Sequence, residues 1–382
     1  MSARKYLIAF VAIALLLAGL VVVFDRVVDP FWYYRDISID GFNAIKPKFK
    51  NYERYVKPAI VQREQPAALI FGSSDFEVGF DPLHPALRAS GTGYNFGMAG
   101  ESWDKVSCDV QFAISHDAAL REIVLGIRPQ AMPLKDCRAE IDKMEHPEER
   151  AFLFSYDALE ASINTVLEQH DGNSSHTAEG LYFYTRGLAG TANRFREVFA
   201  RYPFCDIKYV NAEGLEAAIN SRKPEPLDLS GLRDIVRKAA AKGIMMKLVL
   251  VPHHALFFEQ EYQCGIRQLR WDALSQIVSM VAQEAGDMAG VWDFEGYHQI
   301  CTEVITGKAG IYWQDPLHFN YEFGNMMLDE MFGINPPVFG IRLTPENLAE
   351  RAERERAARA AYLKAHPEFL SQLESLLPKH AH

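Results

Sequence analysis

The sequence predicts an α/β fold with a mainly parallel sheet that is covered by helices on both faces. Short apolar runs typical of buried strands alternate along the chain with segments of helical spacing. The runs are continuous rather than alternating, as expected of parallel strands buried on both sides. A long uncharged segment precedes them, and the 382 residues suffice for one large domain with insertions.

The N-terminal segment predicts a transmembrane helix. Residues 6–24 (YLIAFVAIALLLAGLVVVF) carry no charge, and a helix of this length can cross a bilayer core. Arg4 and Lys5 precede the run, which predicts a cytoplasmic N-terminus and places the following chain on the other side. A cleaved signal peptide is the alternative, but its apolar core is shorter and ends in a small-x-small site. Residues 1–25 are therefore predicted to be an uncleaved anchor.

The remaining elements follow in order. Residues 26–65 are polar with interspersed aromatics and predict a linker to a domain at residues 66–333. Its five predicted strands lie at residues 67–71, 94–96, 122–127, 245–251 and 291–294, and its helices at residues 102–116, 229–242 and 268–285. Residues 129–228 break the alternation and predict a helical insertion. Residues 334–382 predict a tail with one or two exposed helices, the first capped by Thr344.

Composition excludes some classes of protein. The formal net charge of -10 argues against nucleic-acid binding, which needs a basic surface. None of the five cysteines forms a CxxC pair, which argues against a zinc cluster or a redox dithiol. A disulfide between Cys108 and Cys137 is one interpretation, and buried free thiols are the other.

The first motif is Ile70-Phe71-Gly72-Ser73-Ser74-Asp75. An apolar strand runs into a turn that offers two serines at the carboxyl end of the strand. Ligands of open parallel sheets bind just outside these ends. A turn that only caps the next helix is the alternative.

The second motif is Trp313-Gln314-Asp315-Pro316-Leu317-His318-Phe319-Asn320. Asp315 and His318, three residues apart on one loop, can both serve a single serine. One imidazole nitrogen would accept the serine proton while the other donates to the carboxylate. A surface loop with a capping Asp and an incidental His is the alternative.

The third motif is Tyr94-Asn95-Phe96-Gly97-Met98-Ala99-Gly100-Glu101-Ser102, between a predicted strand and a predicted helix. Glycines let the backbone approach a ligand, and the free N–H groups of a helix start favour negative charge. The segment therefore suits an oxyanion donor. A tight turn that needs glycine for steric reasons is the alternative.

Together the three motifs resemble the SGNH or GDSL hydrolase superfamily. The resemblance implies a three-layer α/β/α fold with a flavodoxin-like, five-stranded sheet. It implies Ser74 as nucleophile, His318 and Asp315 as its triad partners, and the oxyanion donors Ser74 and Gly100. It implies no cofactor and no metal.

The phrases FGSSDFEVGFDP, YNFGMAGES and DPLHFN are still closer to the membrane-anchored bacterial branch. That branch includes alginate O-acetylation proteins and the D-alanyl transfer protein of teichoic acid synthesis. The resemblance implies a serine O-acyltransferase or acylesterase that acts on a cell-surface or exported polysaccharide, beside a membrane-bound O-acyltransferase. The implied location is the bacterial inner membrane, with the C-terminal domain in the periplasm.

One departure from the family pattern concerns the third strand. Its usual Gly-x-Asn-Asp reads Gly126-Ile127-Arg128-Pro129, so that Arg128 stands where the Asn donor belongs. A guanidinium can replace that donor or bind an anionic substrate. The alternative function is therefore a catalytically weak or inactive SGNH-like partner of the acyltransferase. Asp75 adds a negative charge beside the nucleophile.

Further candidates for substrate binding are two histidines at a strand end and two residues of the second motif. His253 and His254 end a predicted strand, and Trp313 and Asn320 flank the Asp-x-x-His loop. Ordinary loop histidines and core packing of the tryptophan are the alternatives. A metal site is not predicted, because the two histidines lack a third ligand at recognisable spacing.

Overall fold

A computed structural model describes residues 2–169, 175–183, 190–201, 226–263, 265 and 267–378. The chain forms two compact units, one made of Met1–Gln65 and Cys137–Phe183, the other of Pro66–Asp136 and Tyr184–His382. All residues predicted for the site fall in the second unit.

The described residues form helices and strands, numbered in chain order. The helices are α1 (Ala3–Val28), α2 (Glu53–Glu64), α3 (Ser74–Gly79), α4 (Pro85–Arg88), α5 (Trp103–His116), α6 (Arg138–Glu145), α7 (Glu149–Leu153), α8 (Tyr156–Leu167), α9 (Thr191–Arg201), α10 (Ser230–Ala241), α11 (Ala255–Gln263), α12 (Arg267–Ala285), α13 (Tyr321–Met331), α14 (Leu348–Ala365) and α15 (Glu368–Leu376). The strands are β1 (Ala68–Phe71), β2 (Gly93–Asn95), β3 (Glu122–Ile127), β4 (Met245–Leu250), β5 (Ala289–Asp293) and β6 (Ile341–Leu343).

The second unit contains one six-stranded sheet in the order β2-β1-β3-β4-β5-β6. Strands β1 to β5 are parallel, and β6 pairs antiparallel with β5. The predicted α/β class with a mainly parallel sheet is thus confirmed. The sheet has one strand more than expected, because three residues at its edge are too few to give a periodic signal.

Continuous apolar runs produce the central strands. All four residues of β1 are buried, and β3 is buried at every position except Gly126. Both faces of these strands are therefore covered, which explains why their sequence does not alternate. Helix α10 ends just before Gly243, whose φ of +72° is a left-handed conformation that stops a helix and turns the chain into β4.

An aromatic cluster joins α3 to the segment that carries the second motif. Phe76 and Phe80 pack in the same core as Phe319 and Trp313, and the Phe80 and Phe319 rings lie 5.6 Å apart. A Cβ atom on Gly79 would come within 2.3 Å of the Phe319 ring. Close packing therefore fixes the first motif against the second.

The predicted linker is folded. Phe31 and Phe49 are fully buried, and the ring of Tyr33 stacks on Phe152 at 4.5 Å. Residues 26–65 thus pack with the first half of the predicted insertion in one unit. Within that unit, α1 is long and apolar enough to cross a membrane, with a mean hydropathy of 3.2 over its most apolar 18 residues.

The predicted tail helices exist as α14 and α15, but they also contribute to the core of the second unit. Phe369 is buried, and so is Glu355, which accepts hydrogen bonds from Arg267 at 2.7 and 2.9 Å. Helix α14 begins at Leu348, and Thr344 caps the turn that leads into it. Its hydroxyl accepts the Asn347 N–H at 3.3 Å, and its carbonyl accepts the Leu348 N–H at 3.2 Å.

The cysteines show both predicted states. Cys108 and Cys137 are disulfide-bonded, whereas Cys301 is a buried free thiol. Cys205 and Cys264 lie outside the described residues.

Candidate active site

The strand order reverses at β1, and this reversal creates the crevice in which the motifs meet. Strand β2 lies on one side of β1 and β3 on the other, so the connections after β1 and β3 leave in opposite directions. A crevice of this kind, outside the carboxyl ends of the strands, is where open α/β sheets bind ligands. Ser74 follows β1, Arg128 follows β3 and His253 follows β4.

Ser74, His318 and Asp315 form one hydrogen-bonded series. The Ser74 Oγ atom lies 2.8 Å from Nε2 of His318, although the two residues are 244 positions apart in the chain. On the other side of the ring, Nδ1 lies 2.9 and 2.8 Å from the two carboxylate oxygens of Asp315. Because the carboxylate accepts the Nδ1 proton, Nε2 is left free to accept the Ser74 hydroxyl proton.

Charges and burial oppose each other in this pair. Burial disfavours the charged carboxylate of Asp315, but His318 and the N–H groups of Leu317 and His318 outweigh it and lower the pKa of Asp315 below its ordinary value. Burial also disfavours an imidazolium, but the Asp315 carboxylate prevails and raises the pKa of His318 above its ordinary value. The His318 ring is therefore more basic than a free histidine.

A narrow loop presents Asp315 and His318. Its ends pair through an antiparallel bridge between Trp313 and Phe319, closed by the Gln314 N–H, which donates to the His318 carbonyl at 2.9 Å. Inside the loop, Asp315 accepts the N–H of His318 at 3.0 Å. Because the two residues are three positions apart, the Asp315 carboxylate both stabilises the turn and orients the His318 ring.

Glu303, which the sequence did not single out, fixes the start of this loop. Its carboxylate accepts the consecutive N–H groups of Ile311, Tyr312 and Trp313, the latter two at 2.8 and 3.1 Å. Its carbonyl accepts the ring Nε2–H of His254 at 2.8 Å. A single Glu without a recognisable spacing gives no signal for such a role in a sequence.

On the nucleophile side, the pairing of β2 with β1 continues toward the serine. The Phe96 N–H donates to the Ile70 carbonyl at 2.8 Å, and the Met98 N–H to the Gly72 carbonyl at 3.2 Å. Two residues further on, Gly100 is exposed and has a φ of +76°, which favours glycine. Gly100 thus belongs to a segment that is tied to the serine turn.

Asn95 is a second residue whose role was not predicted, although it stands inside the third motif. It is fully buried, and its Nδ2 donates at 2.9 Å to the carbonyls of both Phe76 and Phe80. Its Oδ1 accepts the Gly97 N–H at 2.9 Å. Asn95 therefore ties α3, which begins with Ser74, to the glycine segment.

Arg128 and Asp75 form an ion pair in the crevice. The Arg128 Nη2 donates to the Asp75 carboxylate at 2.5 Å, and its Nη1 lies 3.3 Å from Nε2 of His253. Asp75 is only 2% exposed, whereas the Arg128 side chain is 39% exposed. The extra charge of Asp75 is thus balanced, and one edge of the guanidinium still faces solvent.

His253 connects Arg128 to a buried charge network. Its Nδ1 lies 2.7 Å from the carboxylate of Glu295, which also accepts from Arg267 at 2.9 Å and contacts Arg270 at 3.0 Å. Burial disfavours the charge on Glu295, but the two arginines overcome it and hold its pKa far below its ordinary value. His253 is therefore oriented by a permanent carboxylate.

His254 does not fit the predicted role in substrate binding. It is completely buried, its Nδ1 accepts the Leu256 N–H at 3.1 Å, and its Nε2–H donates to the Glu303 carbonyl. Burial lowers the pKa of His254 to about 4, so the ring is a neutral structural element. Adjacent residues at a strand end point in different directions, which explains why only His253 reaches the crevice.

Trp313 and Asn320 both have structural contacts. Trp313 is 1% exposed, and its indole N–H donates to the Ile300 carbonyl at 2.8 Å. Asn320 caps α13 by accepting the Phe323 N–H, and its Nδ2 donates to the Ile311 carbonyl at 2.7 Å. Trp313 is thus committed to the core, whereas Asn320 is hydrogen-bonded to backbone but remains partly exposed.

The series of hydroxyl, imidazole and carboxylate is able to activate a serine for attack on an acyl carbon. As the first residue of α3, Ser74 also has a backbone N–H that precedes the helical bonding ladder. No protein-family model matches the chain, and no curated protein matches it significantly.

Proposed function

We propose that this chain is a membrane-anchored serine O-acyltransferase or acylesterase that acts on a cell-surface or exported polysaccharide. The supporting observation is the hydrogen-bonded series from Ser74 through His318 to Asp315 at the switch point of the sheet. Such a series is recognised by its geometry rather than by its position in a fold.

In the proposed reaction, the Ser74 oxygen attacks the acyl carbonyl carbon while His318 Nε2 takes the hydroxyl proton. The tetrahedral intermediate collapses, the acyl–oxygen bond of the donor breaks, and His318 returns the proton to the departing alkoxide. The acyl group on Ser74 then passes to a sugar hydroxyl or to water, with His318 again acting as base. The N–H groups of Ser74 and Gly100 and the guanidinium of Arg128 are the proposed donors to the oxyanion.

Two features support a location outside the cytoplasm. Helix α1 is apolar enough to span a bilayer, and Arg4 and Lys5 before its apolar run favour a cytoplasmic N-terminus. Disulfide-bonded Cys108 and Cys137 suit an oxidising compartment. In the proposed arrangement α1 is a single-pass anchor in a bacterial inner membrane, and a membrane-bound O-acyltransferase supplies acyl groups to the periplasmic domain.

The direct test is covalent labelling with a fluorophosphonate probe, which reacts with activated serines. We expect the full-length protein in detergent to be labelled, with the adduct located on the peptide that contains Ser74. Ser74→Ala should remove the label. A folded wild-type protein that does not react would contradict an active triad and would favour the non-catalytic partner, for which the replacement of the usual Asn by Arg128 is the supporting observation.

Arg128 offers a separate prediction. We expect Arg128→Leu to lower kcat by about 10²–10³-fold, the usual cost of losing an oxyanion donor. It should also shift the acidic limb of the pH–rate profile to higher pH, because Arg128 lowers the pKa of His318 while the Asp75 left behind raises it. Stopped-assay rates with an aryl ester across pH would measure both effects.

The matched control is Arg128→Lys, which keeps the positive charge but loses the planar fork. It should lower kcat and leave the acidic limb near its wild-type position. Unchanged rates in both variants would show that Arg128 takes no part in the reaction.

A further inference from the structure

Helix α8 has two chemically different sides. Its buried side consists of the small residues Ala158, Ala161, Ser162 and Thr165. On the other side, Tyr156, Ile163 and Leu167 are 80%, 44% and 70% exposed, and their spacings of seven and four residues place them on one face. Phe154, just before the helix, is 59% exposed. We call these four residues the apolar patch.

The position of α8 beside α1 explains why such a patch is tolerated. Helix α1 is exposed along its length up to Leu17, and partly covered positions begin at Ala18. Its principal helix contacts are with α7 and α8. Ser162 of α8 lies next to Asp25, the first charged residue after the apolar run. The helix therefore sits where α1 leaves the bilayer.

The polar side chains of α8 lie beside a groove of polar residues, although Asp157 and Glu160 are also exposed. Asp157 accepts the Tyr52 hydroxyl at 3.0 Å, and Glu160 and Asn164 line a groove together with Lys48. Glu160 is exposed at the edge of the apolar patch, one turn from both Tyr156 and Ile163. Apart from Asp157 and Glu160, the exposed side chains of the helix are aromatic and aliphatic, as on the lipid-facing side of a helix at a membrane interface. Large aromatic side chains such as Phe154 and Tyr156 are favoured at that level.

We propose that the apolar patch rests in the outer leaflet of the membrane, roughly 5–10 Å into the boundary between headgroups and acyl chains. The proposal rests on α1 being an anchor, as in the proposed function, but not on the triad. In the proposed arrangement a single bilayer covers both α1 and the apolar patch. The first unit is then held to the membrane by two helices, which restricts its tilt.

The test uses full-length protein in phospholipid nanodiscs, with nitroxide spin labels attached to single introduced cysteines. Labels at Leu167→Cys and Ile163→Cys should collide with oxygen much more often than with a water-soluble nickel chelate. Leu16→Cys in α1 is the positive control for the bilayer interior. Asp142→Cys, an exposed polar position on α6 of the same unit, is the control for water. Signal from the native cysteines is measured on the parent protein and subtracted.

The outcomes separate the possibilities. Lipid-type accessibility at positions 163 and 167, together with that at position 16, supports the proposal. Nickel accessibility at positions 163 and 167, with position 16 still in lipid, overturns the proposal and leaves the anchor intact. Exclusion of both reagents from positions 163 and 167 would indicate that protein covers the patch, and it would also overturn the proposal. Nickel accessibility at position 16 overturns the anchor and this proposal together, whereas probe labelling of Ser74 reports on the triad independently.

Discussion

Ser74→Ala should lower the turnover of an acyl ester by on the order of 10⁶-fold, the scale measured when a triad nucleophile is removed. The reason is that the alanine variant keeps the imidazole and the carboxylate but has no oxygen to form the covalent intermediate. Turnover of an aryl ester by purified full-length protein, followed until hydrolysis exceeds the buffer blank, measures the loss.

The neighbouring serine provides the matched control. Ser73 precedes α3, and it is its carbonyl oxygen that accepts the N–H groups of Phe76 and Glu77, at 3.0 and 3.1 Å. Ser73→Ala retains this carbonyl and should leave turnover within a few-fold of wild type. Equal losses in the two variants would point to damage of the turn, and an active Ser74→Ala would rule out Ser74 as nucleophile.

The sequence predicted those parts of the fold that depend on local patterns. The central strands are identifiable because each is a short apolar run that ends at glycine, proline or a charge, as at Gly72 after β1. Strand β6 gives no such signal. The burial of Phe31 and Phe49 was not predictable, because part of what covers them, Phe152 and His176, comes from a segment that follows much later in the chain.

The candidate site likewise combines residues that local motifs predict with contacts that only tertiary packing creates. Short motifs predict Ser74, Asp315 and His318 separately. Their proximity could not be predicted from spacing, because Ser74 and His318 are 244 positions apart. The contacts around them depend on tertiary packing. Whether His253 or His254 faces the crevice is decided by the direction of the chain after β4. The ion pair of Arg128 with Asp75 needs two strand ends to be neighbours, which only the strand order reveals.

Asp315→Asn is expected to lower kcat by about 10⁴-fold, because the amide no longer enforces the tautomer in which Nε2 accepts the serine proton. Since the Asp315 carboxylate raises the pKa of His318, the residual activity should have its acidic limb at lower pH than the wild type, whose limb lies above 6.5. A pH–rate profile of kcat/KM for both proteins measures the shift.

Stability provides an independent readout of the same pair. The raised pKa of His318 contributes stability that is fully present below its ordinary value of 6.5 and is lost as pH rises through the value in the folded protein. The lowered pKa of Asp315 contributes stability that is present above its ordinary value of 3.8 and is lost as pH falls through the folded value. The difference in unfolding free energy between wild type and Asp315→Asn should therefore be greatest between pH 3.8 and 6.5. Denaturant titrations across pH would measure it, and a difference that does not vary with pH would show that the two side chains are not electrostatically coupled in the folded protein.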